Sequence, residues 1–213
     1  MTTDQLVALL VADLKPVNPR RVVHAVIIAL ATGLAAALGA TMLIFVFPPE
    51  LLDENNLEFL SIKLLFASGI VATAAVLLPQ LARPGAPMRG NSVFALVPFA
   101  LIAVAATAEL AWVPASAWPR MIVEQDSLTC LPSIPLLAIL PFGALIWAVR
   151  AGAPTDRVHA GAVVGLTAGG LGALACAFPC IEQSLSSIAL WYGLPIGICA
   201  AIGAKLGPRL LRW

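Results

Sequence analysis

Six long apolar stretches constrain this chain more than any other feature. They run approximately over Val22–Phe47, Phe59–Ala82, Ser92–Trp112, Leu131–Val149, His159–Phe178 and Ser187–Leu206. A helix needs about 20 mostly apolar residues to cross the hydrocarbon core of a bilayer, and each stretch reaches that length. Pro48-Pro49, Pro84-Gly85, Pro114, Gly152 with Pro154, and Pro179 punctuate them. The fourth stretch also carries Pro132, Pro135 and Pro141. The first of these falls in the opening turn, where proline is tolerated, and the other two are expected to bend the helix. Only 11% of the residues are charged, against about 25% in a soluble globular domain. Most of the surface must therefore face lipid. The expected fold is an all-α integral membrane bundle of six transmembrane helices.

The segment from Met1 to Arg21 is polar and mixed in charge, so it lacks the short apolar core of a cleavable secretory signal. Basic residues in short loops orient a membrane protein. Of the 12 here, Lys15, Arg20 and Arg21 lie in the tail, Arg83 and Arg89 in the second loop, and Arg150 and Arg157 in the fourth. Lys205, Arg209 and Arg212 lie at the C-terminal end, which leaves only Lys63 and Arg120 for the other side. Glu50, Asp53, Glu54, Glu58, Glu124, Asp126 and Glu182 lean the opposite way. The expected topology has both termini in the cytoplasm and loops one, three and five outside.

Glycines mark close helix packing late in the chain. Gly161, Gly165 and Gly169 recur every four residues on the fifth span, and Gly193 and Gly197 do so on the sixth. Small residues at that spacing let helix backbones approach in lipid, and packing inside one bundle is favoured over a dimer interface.

The spans hold almost no ionisable groups. His24, Lys63, His159 and Lys205 each sit within about a turn of a span end, from which they are expected to reach the interface, as is Glu109 before Trp112. Ion and proton pathways need polar groups at mid-membrane depth, so a transporter or channel is disfavoured. Trp112, Trp118, Trp147, Trp191 and Tyr192 read as an interfacial aromatic belt.

Cysteine placement carries more information. Cys199 lies within the sixth span and reads as a small packing residue. Cys130 precedes the fourth span and Cys180 follows the fifth, both on the outer side, with Cys176 one turn before Cys180. The fourth and fifth spans are joined by a short loop and should form an antiparallel hairpin, so Cys130 and Cys180 emerge at the same height. Packed helices stand about 8–10 Å apart, whereas a disulfide needs Cα atoms within about 7 Å. A lean or an unwound end is therefore required to join them. Outside the cytoplasm such a pair is either a structural disulfide or a switch worked by oxidation or by a thiophilic metal. For the metal, Cys130, Cys176 and Cys180 with Glu124, Asp126 or Glu182 offer a soft-ligand set, although the spacing matches no standard zinc signature.

In the tail, Thr2 or Thr3 can cap a short helix from Asp4 to Leu14 that ends before Pro16. Leu6, Leu10 and Leu14 with Val7 and Val11 form an apolar stripe, and Asp4, Gln5, Ala8 and Asp13 lie largely off it. Such an amphipathic helix can lie on the membrane or dock into the groove of a cytoplasmic partner. The pattern alone leaves both open, though Asp4 and Asp13 do not favour an anionic leaflet.

With these residues in view, the chain resembles the NrsF-type anti-sigma factors, six-helix inner-membrane regulators of extracytoplasmic-function sigma factors. The likeness is carried by LVALLVADLKPV (Leu6–Val17), CLPSIPLLAILP (Cys130–Pro141) and WAVRAGAPT (Trp147–Thr155). GAVVGLTAGGLGAL, CIEQS (Cys180–Ser184), Trp191-Tyr192 and the terminal GPRLLRW extend it over the whole length. The resemblance implies a regulator without catalysis in the bacterial inner membrane. Residues 1–21 would be the sigma-binding segment, with Leu6, Leu10, Asp13, Leu14, Lys15 and Pro16 in contact, and residues 22–213 the sensor domain. Cys130 and Cys180 fall on the sensing thiols, acted on by oxidative or heavy-metal stress. No cofactor is implied beyond a transient metal ion at the cysteines, and no direct contact with nucleic acid. Cys176 stands where the resemblance implies an aromatic or aliphatic residue, which makes it a further candidate sensing thiol and leaves open whether Cys176 or Cys180 pairs with Cys130; CIEQS is less acidic than its counterpart.

The competing enzymatic reading is a membrane thiol oxidoreductase that passes electrons from periplasmic thiols to quinone. Such enzymes usually carry Cys-x-x-Cys, and the closest pair here, Cys176 and Cys180, has three residues between.

Overall fold

A computed structural model describes residues 20–45, 54–81, 91–122, 127–152, 154–180 and 184–212. The sigma-binding candidates Leu6, Leu10, Asp13, Leu14, Lys15 and Pro16 lie outside the described residues, as do Glu124, Asp126 and Glu182.

The described chain is helical, with no strand. Seven α-helices follow in order: α1 (Arg20–Ile44), α2 (Glu54–Leu81), α3 (Val97–Ala111), α4 (Trp118–Ile122), α5 (Ser127–Arg150), α6 (Arg157–Cys176) and α7 (Leu185–Leu210). Short 3-10 turns at Asn91–Leu96 and Ala115–Ala117 lead into α3 and α4. All but α4 belong to stretches long and apolar enough to cross a membrane, which fits a multi-pass membrane protein. The outward faces agree, since Leu43, Leu65, Val104, Ile139 and Leu140 are all exposed. Exposed aliphatics on four spanning helices suit lipid, because a soluble monomer rarely shows large apolar patches.

Helix α6 is the centre of the bundle, with 13 of its 20 residues buried. It packs against α7, α5, α2 and α1, while α3 lies outside against α7. Five glycines in one helix (Gly161, Gly165, Gly169, Gly170 and Gly172) are costly to helix propensity, at about 1 kcal/mol each relative to alanine. Close approach offsets that cost. A Cβ on Gly161 would strike the Gly203 carbonyl, and one on Gly165 would strike the Cys199 carbonyl. In return, Gly203 faces the Gly161 carbonyl and Gly207 the Arg157 carbonyl. The glycines that α7 brings to this seam are thus Gly203 and Gly207. Gly193 and Gly197 lie elsewhere: a Cβ on Gly193 would meet only the Phe99 ring at 3.9 Å, and one on Gly197 nothing within 4 Å.

The turn between α5 and α6 is closed by the Gly152 amide, which donates to the Val149 carbonyl at 3.0 Å. Asp156 then caps α6, accepting from the amides of Val158 at 3.1 Å and His159 at 3.0 Å. Its other oxygen lies 2.7 Å from His159 Nδ1. The hydrogen bond donated by the His159 amide is the main reason that the Asp156 carboxyl is held below its ordinary value. With that turn fixed, α5 and α6 run antiparallel, and the start of one meets the end of the other.

Candidate functional site: a three-thiol cluster beside a buried lysine

Cys130 enters in the first turn of α5, Cys176 is the last residue of α6, and Cys180 follows after a three-residue turn. Pro179 lacks an amide hydrogen and cannot extend the helix, so the chain leaves α6 there and folds Cys180 back over its end. All three cysteines are buried, and none is in a disulfide. The Cys130 thiol donates to the Cys180 sulfur at 2.9 Å, and the Cys176 and Cys180 sulfurs lie 3.3 Å apart. The three sulfur atoms all fall within 4.8 Å of one another.

This convergence has a backbone cause one turn further into the bundle. Gly172 lies four residues before Cys176 and Ile134 four residues after Cys130, so each shares a helix face with its cysteine. A Cβ on Gly172 would come within 2.6 Å of the Ile134 carbonyl oxygen and 3.1 Å of the Ala138 nitrogen. Only glycine lets α6 approach α5 this closely. The thiols meet because the hairpin is narrowest just beneath them.

Lys63 of α2 completes the site from the opposite side. It is 2% exposed and is the only buried charged side chain among the described residues. Its ammonium donates to the Cys180 carbonyl oxygen at 2.7 Å and stands 5.9 Å from the centroid of the Tyr192 ring, within reach of a cation–π attraction. Tyr192 is fully buried, and its hydroxyl points at the Cys176 carbonyl across a long 3.5 Å. Position along the span suggested the interface for both residues, and the structure turns both inward. His24, His159 and Lys205, by contrast, are exposed. The Cys180 thiol is held well below the ordinary value of a free cysteine. Its hydrogen bond with Cys130 is the main cause, the one with Cys176 adds to it, burial opposes it, and the Lys63 charge lowers it further.

The chain beyond the site is anchored by Glu109, in the last turn of α3. Its carboxylate accepts from the Leu185 amide at 3.2 Å, the Ser186 amide at 3.0 Å and the Ser184 hydroxyl at 3.1 Å. An anion at the N-terminus of α7 meets the positive end of the helix dipole and its unpaired amides. Glu109 was expected at the interface as well, and here it serves as a cap supplied by a neighbouring helix. Trp191 donates to the Ile122 carbonyl at 2.6 Å, tying α7 to α4, whereas Trp112 and Trp147 remain exposed.

The site thus offers two chemistries: loss of two electrons from a thiol pair, and soft-ion ligation by up to three sulfurs. Sequence reasoning placed Lys63 only at the interface, away from any site, and did not single out Gly172. The signal for Lys63 was a lone cation in an apolar run, and for Gly172 a glycine one turn before a cysteine.

Comparison with known proteins identifies the family of the chain. Residues 10–213 match the family model NrsF, negative regulator of sigma F. The chain is 30% identical to the anti-sigma-F factor NrsF of Caulobacter vibrioides and 28% identical to a probable anti-sigma-F factor NrsF of Azospira oryzae, over the full length of both chains in each case. No solved structure matches. With a family model spanning nearly all of its length and full-length relatives at this identity, the chain belongs to the NrsF family of negative regulators of sigma F.

Proposed function

We propose that this protein is an inner-membrane anti-sigma factor that holds an extracytoplasmic-function sigma factor through residues 1–21. It releases that factor when Cys130 and Cys180, on the periplasmic side, are oxidised or captured by a heavy metal. The observation that carries the reading is the 2.9 Å approach of the Cys130 and Cys180 sulfurs in a chain of a sigma-regulator family. Oxidation removes two protons and two electrons and joins the sulfurs, with a periplasmic oxidant taking the electrons.

The signal must cross the bilayer, which requires two packings of the bundle that differ at both faces. Converting a mostly bound tail to a mostly free one needs about 5.5 kcal/mol of differential stabilisation. A disulfide contributes about 2–4 kcal/mol, so repacking along α6, the helix that touches four neighbours, supplies the remainder. That division makes the glycine seams of α6 part of the switch.

The test is capture of the detergent-solubilised chain from its host, with and without residues 1–21, and mass spectrometry of what it retains. A sigma factor held by the reduced full chain, lost with the tail and released on oxidation is the expected result. Release that persists unchanged in Cys130→Ser and Cys180→Ser variants would refute the thiol switch. A full chain that retains no sigma factor would refute the reading as a whole.

A further inference from the structure

Two disulfides compete for one sulfur at the end of α6. The Cys180 sulfur lies 2.9 Å from that of Cys130 and 3.3 Å from that of Cys176, and it can form only one disulfide at a time. The two bonds are not equivalent. Joining Cys130 to Cys180 ties α5 to the turn after α6, whereas joining Cys176 to Cys180 closes a ring inside one short segment and leaves α5 untied. A buried cysteine ordinarily packs as a small apolar residue. The Cys176 sulfur instead stands against another sulfur, close enough to react with it.

We propose that Cys176 is the exchange nucleophile of the cluster: it attacks the Cys130–Cys180 disulfide at the Cys180 sulfur, moves the bond to Cys176–Cys180 and frees Cys130. This rests on the reading of Cys130 and Cys180 as a redox switch and adds to it the residue that undoes the link between α5 and α6.

The step is redox-neutral. A bond forms between the Cys176 and Cys180 sulfurs as the bond between Cys130 and Cys180 breaks. The electron pair of the broken bond leaves on the Cys130 sulfur, and the proton given up by Cys176 returns there. No further oxidant or reductant is consumed, because the two electrons left when the first disulfide formed. Attack of a thiolate on a disulfide sulfur is the general route of such exchange, and strained disulfides are the labile ones. A link that forces the bundle into a second packing is strained relative to one confined to a turn, so strain drives the bond from Cys130 to Cys176.

Geometry makes exchange the slower step. All three sulfurs lie within 4.8 Å of one another, which sets them in a triangle rather than a line. Cys176 must therefore swing around the Cys180 sulfur to enter opposite the bond that breaks. The first disulfide sends the signal, and the second ends it while the site stays oxidised.

The experiment uses the reduced full chain in detergent, given a brief pulse of diamide. This diazene takes two electrons and two protons from the thiol pair and leaves as the hydrazine. The oxidant is then removed, samples are quenched in acid over time, and the free thiols are labelled with N-ethylmaleimide after denaturation and mapped by tandem mass spectrometry. Early samples should carry label on Cys176 and none on Cys130. Later the label should leave Cys176 and appear on Cys130, with Cys180 unlabelled throughout and the number of labelled thiols per chain constant. Cys176→Ser should keep Cys130 unlabelled at all times. Cys130→Ser should form the Cys176–Cys180 bond directly and keep its sigma factor bound.

Label that stays on Cys176 in the wild type would overturn the proposal without recourse to any variant, as would label that passes to Cys180. Release of the sigma factor from oxidised Cys130→Ser would refute the silence of the second disulfide. If the sigma factor is released but the label never moves, the thiol switch stands and this inference falls. If the label moves while the sigma factor stays bound at every time, exchange stands and oxidation-triggered release falls.

Discussion

The ammonium of Lys63 donates to the carbonyl oxygen of Cys180 at 2.7 Å across 117 residues of chain, joining α2 to the turn that ends α6. This contact places a fixed positive charge beside the thiol cluster. It also supplies a donor to a backbone acceptor that lies beyond the last turn of α6.

The Cys180 thiol ionises more readily than a free cysteine, mainly through Cys130, with a smaller part from Lys63. The sign follows directly. A depressed folded-state value keeps the reactive thiolate present as pH falls below about 8.5, where a free thiol loses it. Alkylation of Cys180 by a small neutral reagent should therefore persist into mildly acidic solution. Cys130→Ser should move that pH profile upward more than Lys63→Met does, read by mass spectrometry of the labelled peptide.

Two glycine seams give different expectations for one chemical change. Gly172→Val drives a side chain into the Ile134 carbonyl, so α6 should leave α5 and the thiols should part. Oxidative cross-linking of Cys130 to Cys180 should then slow sharply. Gly165→Val meets the Cys199 carbonyl instead and should destabilise the α6–α7 pair by about 1–3 kcal/mol, the usual range for overpacking. Gly197→Ala, with open space beside it, should stabilise α7 by up to about 1 kcal/mol. Unfolding in mixed micelles reads all three.

Glu109 binds two amides and a hydroxyl at the start of α7. Glu109→Ala should cost about 1–3 kcal/mol, the range for leaving part-buried donors unsatisfied. Glu109→Gln keeps an acceptor oxygen and loses mainly the charge–dipole attraction, about 0.3–1 kcal/mol. Equal loss in the two variants would show that charge rather than hydrogen bonding holds the cap.

Asp156 caps α6 at the other end of the bundle, and its carboxyl value is lowered by the amides that it accepts. Its contribution is therefore present above the ordinary carboxyl value of about 3.9 and is lost as pH falls through the lower folded-state value. Asp156→Ala should cost about 0.5–2 kcal/mol at neutral pH. The gap to wild type should close in strong acid, as judged by thermal unfolding at both pH values.

Much of the architecture was legible before any coordinates. Apolar length located all six spanning segments, because a bilayer imposes one thickness on every helix that crosses it. Gly161, Gly165 and Gly169 announced the packing face of α6, since four-residue spacing keeps them on one side. The hairpin argument also brought Cys130 and Cys180 to one level, because two antiparallel helices of equal length end together.

What the linear pattern could not supply was azimuth, meaning which way each side chain points around its helix and what it meets there. Proximity to a span end suits Lys63, Glu109 and Tyr192 equally to the interface or the interior. Only the packing of α2 and α7 against α6, and of α3 against α7, turned them to Cys180, the start of α7 and Cys176 respectively. The same holds for the glycines of α7, where Gly203 and Gly207 rather than Gly193 and Gly197 face α6. Sequence by itself determined the number, approximate length and hydrophobicity of the spanning helices, which are local properties set by solvent and backbone chemistry. Tertiary structure decided the third thiol, the buried cation and the narrow point at Gly172, because each depends on residues far apart in the chain whose meeting is fixed only by helix rotation and packing.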